Sequence, residues 1–420
     1  MLDDAAAVRL QVARQVAHWR AAVVALEDLD NFAAPAAWHG LERYLGTTLR
    51  ANLRQAVDRL RRQSDVLDAQ LRAADTPQEL DRVRRYVVRF RARVLRTETA
   101  LDFYGDAVNT RTNPRLAALL AACDVLSRRS LEVLLTPLGQ PVPPVLTYID
   151  KGLGASILRS GLRLWDGRAI SAAAAIKITR HNLYRPTACL HEAGHQAAFT
   201  LGWNDELAEA FRRELSDAPA VADTWAGWAS EVAADTFAFG HVGYAAVATL
   251  HDVIAGERTS VFALRPMDPH PIAYLRVLLG THMAVRFYGA GPWDDLARAW
   301  TSAHPLETAP TEVRDLLAES VARMPRIVEI CLQRPMRAFG GRPFAAIVDP
   351  ARVRPEALQR LARDAGPALF TSSHWIWSEC LRLLALSGYR AATEPERATE
   401  IAEQFERWML QLGRGMEAAA

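Results

Sequence analysis

A histidine–glutamate–histidine cluster lies near the middle of the chain, as His191-Glu192-Ala193-Gly194-His195. In a helix, residues four positions apart lie on one face, so both imidazoles can bind a single zinc ion. Glu192 lies beside them, where its carboxylate can take a proton from a water molecule. The residue types and their spacing therefore indicate zinc-dependent hydrolysis.

A third metal ligand is expected downstream, because a catalytic zinc site uses three protein ligands and leaves one position open. Glu231 and Asp235 are four residues apart in a segment that we expect to be helical. Glu231 can supply the third ligand, and Asp235 can accept a hydrogen bond from the free nitrogen of a ligand histidine. The metzincin pattern is excluded, because positions 198 and 201 hold Ala198 and Leu201 instead of glycine and histidine.

HExxH followed by ExxxD resembles the gluzincin zinc metallopeptidases. The form Glu231-Val232-Ala233-Ala234-Asp235 is most similar to the ExxAD of the HtpX-like and CAAX-prenyl-protease-like peptidases, which also carry a His-Pro element followed by an arginine. This chain offers His270-Pro271 and Arg276, so the resemblance covers about residues 175–280. The ImmA/IrrE-like regulatory peptidases share a short HExxH region, but the long spacing to Glu231 favours the first group.

The resemblance implies a zincin-like domain that binds Zn²⁺ and hydrolyses peptide bonds in a peptide or protein substrate. A donor is needed for the oxyanion of the tetrahedral intermediate. The candidates from the His-Pro segment are His270, Tyr274 and Arg276, and weaker alternatives are Tyr244, His241 and His251. In thermolysin-like enzymes the substrate pairs with an edge strand beside the metal, and residues 175–179 are the candidate strand.

Two other functions remain compatible with the same residues. The zinc ion could stabilise a non-catalytic interaction scaffold, or the site could hydrolyse a non-peptide amide. Glu192 argues against the scaffold, because a structural zinc site is closed by four protein ligands and needs no base.

Long helices are predicted upstream of this region, over residues 1–135. Two helix seams consist of apolar or small residues spaced by three and four. They are Leu53, Val57, Leu60, Ser64, Leu67 and Leu71, and then Val83, Val87, Phe90, Val94, Thr97 and Leu101. Between the seams, Thr76-Pro77-Gln78-Glu79 is a capping box, so we expect an antiparallel helical bundle.

The second seam helix is rich in arginine, from Arg82 to Arg96. Such a face can dock an acidic partner or nucleic acid, or it can be a solvated face with local ion pairs. The interspersed acidic residues, such as Asp65 and Asp81, favour the solvated face. A protein partner of the bundle remains an alternative.

Four domains or segments follow from this pattern. Residues 1–135 form the bundle, 136–147 a proline-rich linker, 148–290 the zincin-like catalytic domain with a small edge sheet, and 291–420 a helical C-terminal region. The short β-branched segments 145–149 and 176–179 are predicted strands. The fold class is therefore mainly α, of the α+β kind.

Composition excludes several classes of protein. The 420 residues carry a formal net charge of +2, which is too close to neutral to indicate a nucleic-acid partner. The four cysteines form no CxxC pair, and no charge-free run of about 18 apolar residues predicts a membrane span. The N-terminus lacks the pattern of a secretory signal, so a cytoplasmic location is expected.

Overall fold

The helical content of the chain agrees with the expectation from sequence. The computed structural model describes residues 4–45, 49–150, 156–158, 174–265 and 268–419. Within these ranges it contains eighteen α-helices and two small sheets, which confirms a mainly α fold. None of the described helices is both long and apolar enough to cross a membrane.

Four helices form most of the described part of the first of two compact units, whose main segment ends at Leu116. They are α1 (Asp4–Ala25), α2 (Pro35–Leu45), α3 (Leu49–Arg72) and α4 (Pro77–Asn109). Helices α1, α3 and α4 pack against one another. All twelve predicted seam residues of α3 and α4 are buried, so both predicted seams are confirmed.

The predicted capping box begins α4. The Thr76 hydroxyl accepts a hydrogen bond from the Glu79 backbone N–H at 3.2 Å, and the Glu79 carboxylate accepts one from the Thr76 N–H at 3.0 Å. These bonds satisfy backbone donors that the first helical turn leaves without partners.

The second unit begins at Ala117, so the division falls near the start of α5 (Pro114–Leu135) instead of in the predicted linker at 136–147. Thirteen of the 22 residues of helix α5 are buried, which is typical of a helix in the middle of a core. Its Asp124 carboxylate accepts a hydrogen bond from the Thr147 N–H at 2.5 Å. Sequence reasoning grouped α5 with the bundle because a helical pattern alone does not show which core a helix joins.

A three-stranded sheet follows, with strands β1 (Val145–Ile149), β2 (Ser156–Leu158) and β3 (Ala174–Ile178). Strand β3 lies in the centre, parallel to β1 and antiparallel to β2. The prediction that residues 175–179 provide the edge strand is therefore wrong, because both hydrogen-bonding edges of β3 are already paired. Near-continuous burial along β3 is typical of such an inner strand.

The rest of the second unit is built mainly from helices. The next nine are α6 (Thr187–Leu201), α7 (Trp203–Glu214), α8 (Pro219–Gly227), α9 (Ala229–Val242), α10 (Tyr244–Ile254), α11 (Arg258–Val261), α12 (Ala273–Tyr288), α13 (Pro292–Ala303) and α14 (Thr311–Leu332). A two-stranded sheet of β4 (Pro335–Met336) and β5 (Arg342–Pro343) follows. The last four helices are α15 (Pro355–Ala365), α16 (Ser373–Ser378), α17 (Cys380–Thr393) and α18 (Ala398–Ala419).

Helices α6 and α9 cross at very short range. A β-carbon added to Gly194 of α6 would lie 2.8 Å from the Ala234 Cα and 3.1 Å from the Ala234 carbonyl oxygen of α9. Only glycine leaves room for this backbone-to-backbone approach. The crossing therefore sets how closely side chains of α6 and α9 can meet.

We predict that Gly194→Ala lowers the free energy of unfolding by about 1–3 kcal/mol, because α9 must move to accommodate the methyl group. Gly227→Ala is the matched control, since no atom lies within 4 Å of a β-carbon added there. Chemical denaturation of both variants measures the difference. Equal stability of the two variants would contradict the close crossing.

Candidate metal centre

Three candidate metal-ligand side chains meet where α6 packs on α9. His191 and His195 lie on α6, and Glu231 lies on α9. One Glu231 carboxylate oxygen is 3.3 Å from His191 Nε2, and the other is 3.2 Å from His195 Nε2. One ligand atom from each of the three residues lies within 4.8 Å of the other two. This donor set and spacing fit a divalent ion with two histidines and one glutamate as ligands.

Each imidazole is held by a second partner on α9. His191 Nδ1 lies 2.8 Å from the Asp235 carboxylate, which is the arrangement expected from the four-residue spacing of Glu231 and Asp235. His195 Nδ1 lies 3.2 Å from the Ser230 hydroxyl. Partners of this kind fix the ring orientation and leave Nε2 available to a metal. Sequence reasoning missed Ser230, whose only signal was its position next to Glu231.

Arg276 on α12 joins the carboxylates of α9. Its guanidinium contacts both oxygens of Asp235, at 2.5 and 2.8 Å, and lies 3.4 Å from a Glu231 oxygen. The arginine is buried, and its donors are directed to these two carboxylates. Arg276 therefore positions Asp235 and Glu231, although the sequence offered it as an oxyanion donor.

The cluster has an excess of negative charge. The carboxylates of Glu192, Glu231 and Asp235 are opposed by one guanidinium, that of Arg276, which leaves a net charge of minus two with neutral imidazoles. Buried charges are costly unless they are paired or bind a metal. A divalent cation supplies the missing two positive charges, so the residues present fit a zinc ion.

Without a bound ion, the same excess of negative charge raises the pKa of a neighbouring imidazole and favours its protonation. Burial alone would lower the pKa of His191. The negative charge of Asp235, together with the hydrogen bonds of His191 to Asp235 and Glu231, raises this pKa to about 10. Burial would raise the pKa of Asp235, but Arg276 and His191 lower it to about 2. Burial and the negative charge of Glu231 raise the pKa of Glu192. Positive charge on His191, His195 and Arg276 acts in the opposite direction but does not cancel this rise. Glu192 is thus the carboxyl group of the cluster that accepts a proton most readily.

His270 lies at the open side of the cluster. Its Nε2 is 3.5 Å from a Glu231 oxygen, and its Nδ1 is 2.6 Å from the Asp268 carboxylate. The same Asp268 oxygen accepts a hydrogen bond from the His270 backbone N–H. The ring is about half exposed, so Nε2 can reach a bound molecule. Asp268 is a second residue that sequence reasoning did not assign.

A cavity of about 270 Å³ opens next to the cluster. His191, Glu192 and Arg276 contribute to its polar part. Its apolar wall comes from α9, α10 and α12 and contains Ala238, Phe239, Ala246, Val247, Leu250, Val253, Ile254, Leu279 and Met283. The cluster therefore faces a space that can hold an apolar group.

Tyr274 is the candidate residue that does not reach this cavity. It is buried, and its ring centroid lies 5.2 Å from that of Phe262. Two residues along a helix are about 200° apart, so Tyr274 and Arg276 face in nearly opposite directions. The prediction of a catalytic tyrosine at this position is therefore not supported by its placement.

The three weaker oxyanion candidates also lie elsewhere. Tyr244 packs against Trp293, His241 against Phe237 and His251 against Trp300, with ring centroids 5.5, 4.4 and 5.2 Å apart. None of the three lines the cavity beside the metal ligands. Each belongs to packing around the site.

No family model, curated protein sequence or solved structure matches this chain. The chemistry of the site therefore has to be inferred from its geometry and its sequence pattern.

We predict that His241 makes the chain less stable in mild acid. Burial, together with the charge of Arg352, lowers the pKa of His241 from 6.5 to about 3. As the pH falls below about 6.5 the unfolded chain binds this proton first, so stability decreases by up to about 1.4 kcal/mol per pH unit until about pH 3. Above about pH 6.5 the contribution is fully present.

His241→Leu should remove this part of the pH dependence, and His374→Leu, at an exposed histidine, should retain it. The measurement is the free energy of unfolding of both variants between about pH 5 and pH 7.5. Parallel curves for the two variants would exclude the assignment.

Proposed function

We propose that the chain is a zinc-dependent metallopeptidase of gluzincin type. The observation that carries the proposal is the meeting of His191, His195 and Glu231 beside Glu192 at an open cavity. HExxH, ExxAD and the His-Pro element with its arginine support the same assignment. The donors come from two helices whose crossing is fixed by backbone packing.

Each residue of the site has a separate role in the proposed hydrolysis of a peptide bond. A bound zinc ion supplies Lewis acidity toward the scissile carbonyl and toward water. Glu192 takes the proton of the attacking water and passes it to the leaving amine, and its raised pKa suits both transfers. His270, oriented by Asp268, presents Nε2 from the open side toward the carbonyl oxygen. Arg276 holds Asp235 and Glu231 in place.

Catalysis is favoured over a purely structural zinc site. Among the described residues, the ligand group contains three side chains, and His270 is not one of them. A structural zinc site is closed by four ligands, whereas three leave a position for water. Glu192 is buried and lines the cavity beside the coordination position left for water. It can act as a base in hydrolysis there, whereas a closed structural site needs no base.

The substrate class follows from the cavity wall. Nine apolar residues from three helices line a space of about 270 Å³ next to Glu192. Burying an apolar side chain there stabilises the complex by about 1.5–3 kcal/mol. We infer that cleavage occurs beside a large aliphatic or aromatic residue of a peptide or protein.

We predict that Glu192→Gln retains about one zinc ion per chain and lowers kcat about a hundred- to ten-thousand-fold, because it removes the base and no ligand. Glu231→Gln should instead lose zinc, because it removes a ligand. Metal analysis and mass spectrometry of peptide products from the native chain and both variants provide the measurement.

Absence of zinc from the reconstituted native chain would end the proposal. Full peptidase activity of Glu192→Gln would exclude this residue as the base. Zinc binding with no cleavage of any peptide by the native chain would favour the scaffold.

We predict that Ala246→Phe raises KM about tenfold or more for peptides with a large apolar residue at the scissile bond, because it fills the cavity. Zinc content should not change. Ala255→Phe, at an exposed position just after α10, is the matched control. Kinetics on a peptide series that varies this residue measure the effect, and equal KM values for both variants would refute the assignment of the cavity.

A further inference from the structure

A groove of about 610 Å³ runs between α3 and α4 of the first unit. Its lining residues from α3 are Arg59, Arg62, Gln63, Val66, Leu67 and Gln70, and those from α4 are Tyr86, Arg89, Phe90 and Arg93. The positions on each helix recur at i, i+3, i+4 and i+7, so each set forms one stripe. Arg93 donates a hydrogen bond to the Gln63 side chain at 3.1 Å, which joins the two stripes across the groove.

The groove is positively charged. Arg62, Arg89 and Arg93 are exposed and form no ion pair within the described part of the chain. No carboxylate is among the described residues that line the groove. Positive side chains that line one groove without a carboxylate give it a positive potential.

Two acidic residues of the same hairpin pair with arginines outside the groove. Asp81 pairs with Arg84 and Arg85, both at 2.8 Å, and Asp68 pairs with Arg72 at 2.6 Å. The expected solvated face with local ion pairs is thus present, but it lies outside the groove. These ion pairs of Asp68 and Asp81 do not involve Arg62, Arg89 or Arg93.

The groove also offers apolar surface. Leu67 and Phe90 form a buried floor, while Val66 is 57% exposed and Tyr86 is 44% exposed. The guanidinium of Arg89 lies 5.9 Å from the centre of the Tyr86 ring. An apolar floor between rows of cations is suited to a ligand with one apolar face and negative edges.

We propose that the α3–α4 groove binds an acidic amphipathic helix of a partner protein. A third helix can place apolar residues at i, i+3, i+4 and i+7 on Val66 and Tyr86, with its carboxylates facing the three arginines. The α3 stripe from Arg59 to Gln70 extends about 16 Å, which matches about eleven helical residues.

A nucleic acid fits this surface less well. The apolar surface of Leu67, Phe90, Val66 and Tyr86 would remain without a partner against a phosphate backbone. The proposal is independent of the metal centre, since the groove lies within the first unit.

The test uses the full-length chain and a fluorescent synthetic peptide of about 18 residues, with leucine at i, i+3, i+4 and i+7 and glutamate elsewhere. Fluorescence anisotropy at about 0.15 M salt measures binding. A peptide of the same composition in scrambled order, which lacks the apolar face, should bind at least about tenfold more weakly.

The decisive variant combines Arg62→Glu, Arg89→Glu and Arg93→Glu, and it should weaken binding about tenfold or more. The matched control combines Arg72→Glu, Arg84→Glu and Arg85→Glu, which changes the net charge equally on the same two helices outside the groove. The control should retain affinity within about threefold. If circular dichroism shows that the first variant is unfolded, the same three arginines are changed to glutamine instead.

Several results would overturn the proposal. They are no binding of the peptide by the native chain, equal binding of the scrambled peptide, equal losses in the two triple variants, or tighter binding of a single-stranded DNA oligonucleotide than of the peptide. Concentration-dependent self-association that the groove variant abolishes would assign the groove to a second copy of the chain. Loss of peptidase activity in Glu192→Gln has no bearing on any of these outcomes.

Discussion

The constraint on which the site depends is the cost of placing three carboxylates and two imidazoles inside a helical core. Glu192 and Glu231 are buried, and Asp235 is nearly so. Each must find a positive partner within a few ångströms, and Arg276 provides only one charge. The remaining deficit matches a divalent ion, so the electrostatics and the ligand geometry lead to the same conclusion.

The architecture provides this arrangement with few elements. Helix α6 carries both imidazoles and Glu192, α9 carries Glu231 and the partners of both rings, and α12 carries Arg276. The loop before α12 adds His270, which is held by Asp268. Hydrogen bonds to Asp235 and Ser230 orient both rings without a bound ion. Side chains fixed in this way would lose little conformational entropy on binding a metal ion.

Local patterns predicted much of this structure. The seams of α3 and α4, the capping box at Thr76 and the helix that carries HExxH depend on neighbours a few residues away, and each agrees with the sequence. The single helical turn between Glu231 and Asp235 likewise placed Asp235 next to an imidazole. The predictions that the structure does not support depended on contacts between residues far apart in the sequence. The central position of β3 depends on which strands pair with it, the membership of α5 depends on which core it enters, and the direction of Tyr274 depends on how α12 is rotated.

The close packing at Gly194 limits which substitutions evolution can accept at this position. HExxH leaves this position unspecified, yet the atoms that a side chain would meet there belong largely to the α9 backbone, so no exchange at a neighbouring side chain can make room. Natural variation should therefore spare this glycine for reasons of packing rather than chemistry. A descendant that had lost its histidines and retained only the fold would still carry this glycine, because the packing of α6 on α9 would still require it.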